Sequence, residues 1–380
     1  MTENNLDEKQ EERLLATWCD HVTRLVAIPS TSADTKEHDL STLNVIAYIE
    51  AVLIKAGFST ERLEARPGHV SLYAFKGEPV ILLSGHVDTV PCNADAWQSE
   101  PFTLTLREGR AYGLGACDMK GFIALMLTLA ASTAGDNLAL LFTSDEETDM
   151  AGALKAVEHL KGRRFSLIVI GEPTGNVPVT AHKGWMYREY RTQGKAAHSS
   201  HPELGESAIE KGLTVLNALY ALRDRFKVQS DVRGQYPTLN VGRVTGGDAA
   251  NRVPDTFTVI FDVRPTPYVD VAKVKEALSA LPGDGVLHAP FADIAPLKDT
   301  LSPALHALLE RLTGTPCQSV AYCTEGSLLQ SLGPCVILGP GSIAQAHQVD
   351  EWIEISGVRR ALHIFTELLR TLNRPNGDRP

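Results

Sequence analysis

At 380 residues with 43% hydrophobic side chains, the chain is long enough for two or three domains and a sizeable buried core. Its 36 basic and 46 acidic residues leave a net charge of −10 with His neutral, which argues against nucleic acid as a partner, because phosphate neutralisation needs a basic face. The six cysteines form no C-x-x-C pair, and the polar, acidic start "MTENNLDEKQEE" is no secretory signal, so a reducing compartment, the cytoplasm, is expected.

In chain order, "LLATWCDHVTRLVAI" and "TLNVIAYIEAVLIKAG" read as amphipathic helices, the second closed by Gly57. "PVILLSGHVD" is a short apolar run ending in turn chemistry, which predicts a buried strand. "GFIALMLTLAAS", residues 121–132, is apolar on every side. It falls well short of the ~20 residues that span a bilayer and reads as a buried core helix, so no membrane is expected. "NLALLFTSDEE" and "FSLIVIGEPT" repeat the strand pattern, with helical segments between. Such alternation predicts an α/β fold with a mixed, mainly parallel sheet flanked by helices on both faces.

The pattern changes near Gly184. "GWMYREYRTQG" alternates like a half-exposed strand, and "GESAIEKGLTVLNALYALRDRF" is a long helix. "YPTLNVGRVTGG" and "DTFTVIFDVRP" read as paired strands, and "VDVAKVKEALSAL" as another helix. This β-α-β-β-α order predicts a small α+β, ferredoxin-like domain over 185–291, inserted into a first domain made of 1–184 and 292–380.

Ligands gather at the carboxyl ends of strands in open α/β sheets, so the turns after the predicted strands are the candidate site. His86 and Asp88 lie two apart in "SGHVDTVP" and share a side of an extended segment. A carboxylate there can accept the second ring N–H of a metal-binding His, the alternative being an ordinary turn with a surface His. In "YGLGACDMKGFIAL", Asp118 is either a metal ligand or the cap of the apolar helix.

"LLFTSDEETDM" sets Asp145, Glu146, Glu147 and Asp149 within five positions. Thr148 or Asp149 can cap the helix "MAGALKAVEHLKG", at about 0.3–1 kcal/mol for each acid near the positive helix end. That leaves Glu146 and Glu147 unexplained, and Asp145 without a role. Glu172 follows another buried strand, and His347 sits in the Gly-rich "GPGSIAQAHQVDEW". Two His and three or more carboxylates on separate strand-ending loops suit two divalent cations, zinc first, with cobalt or manganese as alternatives.

Taken in order, "SGHVDTVP", "YGLGACDMKG", "TSDEETDMAGA", "IGEPT", "GKAAHSS", "GGDAANRVPD" and "LGPGSIAQAHQVDE" resemble the zinc aminoacylase/carboxypeptidase metallohydrolase family, from about residue 20 to 370. The resemblance implies a zinc-exopeptidase-like fold whose inserted domain acts as lid and dimerisation element. It also implies hydrolysis of a small N-acyl amino acid. Carried onto this chain, it assigns His86 and Glu172 to one metal, Glu147 and His347 to the other, and Asp118 to the bridge. Glu146 is then the general base and Asp88 orients His86. Glu172 matches the deacylases of the family rather than its peptidases. The resemblance gives His198, read as a helix-start His in "KAAHSSHP", the role of a His reaching a neighbouring subunit's active site, with His201 as its rival. Asn251 and Arg264 would grip the substrate carboxylate, with Arg252 as a competing candidate.

Overall fold

The structure is a computed structural model that describes residues 7–132, 136–230 and 235–373, so the first half of the polar start lies outside the described residues. The chain divides into two compact units. One comprises Met1–Thr180, Asp299–Ser319 and Thr324–Pro380, and the other Ala181–Lys298 and Val320–Cys323.

The first unit is built on an eight-stranded sheet. Its order is Ser59–Arg66, His69–Lys76, Leu138–Thr143, Ile81–His86, Leu167–Ile170, Cys335–Ile337, Val179–His182 and Gln318–Val320. The four strands beginning at Leu138, Ile81, Leu167 and Cys335 run parallel, with His86 opposite Thr143 and Ser84 opposite Ile170. All four are buried along their whole length, as apolar runs covered on both faces should be. The margin is antiparallel: Ser59–Arg66 pairs with His69–Lys76, which pairs with Leu138–Thr143. The outer strand was not legible in the sequence. "STERLEAR" fully buries only Leu63, so it carries charge where an exposed edge tolerates it.

Helices pack on this sheet through a continuous apolar core. Every residue of the helix Lys120–Ala130 is buried, and its Phe122 ring meets Phe365 of the C-terminal helix Ile355–Leu372 edge-on at 5.3 Å. Burying a ring of that size contributes about 1.5–3 kcal/mol. The packing requires glycine at the strand end beneath it: a Cβ on Gly171 would fall 1.9 Å from the Phe122 ring. The first helix, Glu8–Val26, is capped by Asp7, whose carboxylate accepts the Gln10 N–H at 2.7 Å.

The second unit holds a four-stranded sheet in the order Thr238–Gly246, Thr256–Arg264, Met186–Gln193 and Val286–His288, with antiparallel pairing throughout. Alternating burial along Met186–Gln193 and Thr256–Arg264 turns Met186, Tyr190, Phe257 and Phe261 inward. There they pack with Val215, Leu219 and Phe226 of the helix Ala208–Lys227 and with Val274 and Leu278 of the helix Val271–Ser279. Among the described residues no helix is long and apolar enough to cross a membrane.

Candidate active site

Three neighbouring parallel strands end at one place. His86 closes Ile81–His86, Asp145–Glu147 follow Leu138–Thr143, and Glu172 follows Leu167–Ile170. The turn before the buried helix brings Asp118, and the loop before the C-terminal helix brings His347. His86 Nε2 lies 3.1 Å from Asp118 Oδ1 and 4.0 Å from Glu172 Oε1. His347 Nε2 lies 3.0 Å from the Glu147 carboxylate and 3.7 Å from Asp118 Oδ2. Asp118 therefore faces both His rings, one from each oxygen.

The capping alternative for Asp118 does not hold. Met119 occupies the helix cap position, with no side-chain cap bond, and the Asp118 carboxylate points at His86 instead. Asp149 does serve its helix start, accepting the Ala151 N–H at 3.0 Å. Asp88 departs from its expected contact. The His86 Nδ1–H donates to the Asp88 backbone carbonyl at 3.0 Å, while the Asp88 carboxylate stands 3.7 Å away. That carboxylate accepts the Glu147 N–H at 3.1 Å, which ties the His86 turn to the Glu147 turn.

The electrostatics call for positive charge. Burial, then the Glu172 charge, raises the Glu146 carboxyl well above its ordinary range. Burial and Asp118 do the same to Glu172. His86 is raised despite its burial, because Asp118 and Glu172 favour its charged form. Carboxylates crowded out of water repel one another, and a divalent cation removes that cost. His86, Asp118 and Glu147 each offer a ligand atom within 4.8 Å of the others. Imidazole and carboxylate donors of this kind fit a zinc-like ion. The Cys117 thiol beside Asp118 is no competitor. Burial pushes it up, and it donates to the Ser342 carbonyl.

Two further buried acids escaped the sequence reading. Glu325 accepts the Thr143 hydroxyl at 2.8 Å, and burial pushes its carboxyl up to about 7. "CTEG" carries no strand-end signal that marks it. Glu351, four residues after His347, accepts the backbone N–H groups of Gly115, Cys117 and Asp118 at 2.9, 2.7 and 2.9 Å. It thereby fixes the Asp118 turn from the His347 loop. Burial lifts its carboxyl to about 8 against the pull of those three donors. Glu351→Gln would set an amide N–H against one of them, at a cost of about 1–3 kcal/mol. The expected result is a lower Tm together with faster loss of bound metal on dialysis. Unchanged metal retention would show that the Glu351 contacts do not govern metal binding at the Asp118 turn.

The remaining candidates belong to the second unit. His198 lies not at a helix start but on the two-residue strand Ala197–His198, paired with Arg252–Val253. The Ser200 N–H donates to its Nδ1 at 3.1 Å, so in the neutral ring the proton sits on Nε2. The rival His201 is exposed, with its Nδ1 3.2 Å from the Glu203 carboxylate. The Asn251 carbonyl accepts the Ser199 N–H at 3.0 Å, anchoring the His198 loop. Arg264 is paired with Asp262 at 2.9 Å, and Arg252 with Asp248 and Asp255.

A cluster of His and carboxylates around the ends of parallel strands, part of it deeply buried, suits a metal-dependent amidohydrolase. Residues 82–371 match the profile of Peptidase family M20/M25/M40, and the chain belongs to that family. It is 37% identical over 376 residues to an acetylornithine deacetylase from Vibrio vulnificus, spanning 94% of this chain and 98% of that protein. It is 36% identical over 375 residues to an acetylornithine deacetylase from Proteus mirabilis, spanning 93% and 96%. In fold it resembles an M20 family metallo-carboxypeptidase from Sulfolobus solfataricus, with a TM-score of 0.71 at 18% identity, over 93% of this chain and 98% of that one.

Proposed function

We propose that the protein hydrolyses N2-acetyl-L-ornithine to L-ornithine and acetate, a step of arginine synthesis. His86 and Glu172 would hold one divalent metal, Glu147 and His347 a second, and Asp118 would serve both. The metals, zinc by preference with cobalt as the alternative, would acidify the attacking water and polarise the acyl carbonyl. Glu146 takes a proton from that water. The oxygen bonds to the acyl carbon, and the C–N bond breaks as Glu146 returns the proton to the leaving nitrogen. A carboxyl raised by burial suits both duties, because it is a stronger base than an ordinary carboxylate and can still hand the proton on. His198, with its proton on Nε2, is a donor for the developing oxyanion when supplied by a second copy of the chain. Asn251 and Arg264, with Arg252 as the competing cation, would hold the substrate carboxylate.

The choice of substrate rests on one observation: the match to two acetylornithine deacetylases along almost their whole lengths. The test is a panel of N-acetylornithine, N-acetylmethionine and N-succinyl-diaminopimelate compared by kcat/KM. N-acetylornithine should lead. A higher value for the succinyl substrate, or for N-acetylmethionine, would replace this reading with a desuccinylase or a broader aminoacylase. We also propose that the 185–291 segment closes over substrate and forms a homodimer, and that the enzyme works in the cytoplasm. A fully active, strictly monomeric preparation would overturn the dimer.

A further inference from the structure

We propose that Asp145, braced by Arg66, is a positioning residue that aims Glu146; this rests on the reading of Glu146 as the base. Asp145 is the one acid of "SDEETD" left without a role, and its side chain is completely buried. Its Oδ1 accepts Arg66 N–H groups at 2.6 and 3.2 Å and lies 2.8 Å from His69 Nδ1. The Ser32 hydroxyl donates to Oδ1 at 3.3 Å and the Ser144 hydroxyl to Oδ2 at 3.0 Å. Arg66 also grips Asp39 with two N–H groups, at 2.6 and 2.9 Å. Asp39, His69 and Asp145 offer ligand atoms close enough for a cation, but the Arg66 guanidinium already supplies the positive charge.

The brace acts on the backbone. Asp145 has φ 63°, in the left-handed region that non-glycine residues seldom occupy, and its carbonyl accepts the Met150 N–H at 2.7 Å. Two residues on, the Glu147 N–H is held by Asp88 at 3.1 Å. Among the described residues no side-chain hydrogen bond holds Glu146 itself. Its direction is set by the two anchored neighbours, and an error of about 1 Å in a reacting group costs on the order of a hundredfold in rate.

The experiment compares Asp145→Asn and Arg66→Ala with the parent protein, using the N-acyl amino acid the parent hydrolyses best and elemental analysis of bound metal. The expected result is a 10- to 100-fold lower kcat, a KM within twofold, and undiminished metal content. In a Glu146→Gln background Asp145→Asn should lower kcat no further. Should Asp145→Asn fail to fold, Arg66→Lys, which keeps the charge and loses the fork, carries the same readouts. A lowered Tm with unchanged kcat per folded molecule overturns the proposal. So does metal loss that tracks the loss of kcat, or a full further drop in the Glu146→Gln background. A parent protein inert toward every N-acyl amino acid instead removes the functional reading.

Discussion

Glu146→Gln is expected to lower kcat by about 10²–10⁴-fold while the metal content stays at the parent level. The replacement keeps the shape of the side chain and removes its ability to carry a proton. Glu146 is half-buried, its carboxyl raised by loss of water and by Glu172, and it lies one residue before the ligand candidate Glu147. Losing a proton carrier raises the barrier of both the attack and the departure of the amine. Losing a ligand would empty the site. Kinetics and elemental analysis on the same sample separate the two. If Glu146→Gln keeps more than a tenth of the parent kcat, another group is the base. If it loses metal in step with activity, Glu146 is a ligand.

Asp118→Asn is expected to abolish turnover by a different route, through metal loss. Among the described residues Asp118 is the one acid with an oxygen within 4.0 Å of both rings, 3.1 Å from His86 and 3.7 Å from His347. An amide has one ligating oxygen and no charge, so it can serve one side at most. Bound metal should fall below one ion per chain after dialysis. The variant should nonetheless fold, because the turn is held by backbone N–H groups donating to Glu351 rather than by the Asp118 side chain. Retention of two metals would contradict a shared role for Asp118.

The parts of the fold that could be read from sequence are those where burial repeats locally. "VILLSGH", "LALLFT" and "LIVI" are apolar on both faces and run into small, His or acidic residues, and that form placed His86, Glu147 and Glu172 after separate strands, which the sheet order makes neighbours. Other parts depend on partners far along the chain. Glu351 meets the Asp118 N–H across 233 positions, and Arg66 meets Asp145 across 79. No periodicity encodes such pairs. Asp88 illustrates a finer limit: residue type suggested the carboxylate, but backbone geometry gave the contact to the carbonyl. His198 resembled a helix start because "KAAHSSHP" contains good capping residues, yet its pairing with Arg252 makes it a strand.

The two His of the site differ sharply in exposure: the His86 side chain is 1% accessible and that of His347 51%. A metal held through His347 can shed that ligand to water by a local movement of one loop. A metal held through His86 leaves only when the sheet end itself opens. Ion exchange should therefore be stepwise, one metal leaving to a chelator quickly and the other slowly, with activity disappearing in the first phase. Single-phase release of both ions would show that a common opening governs them.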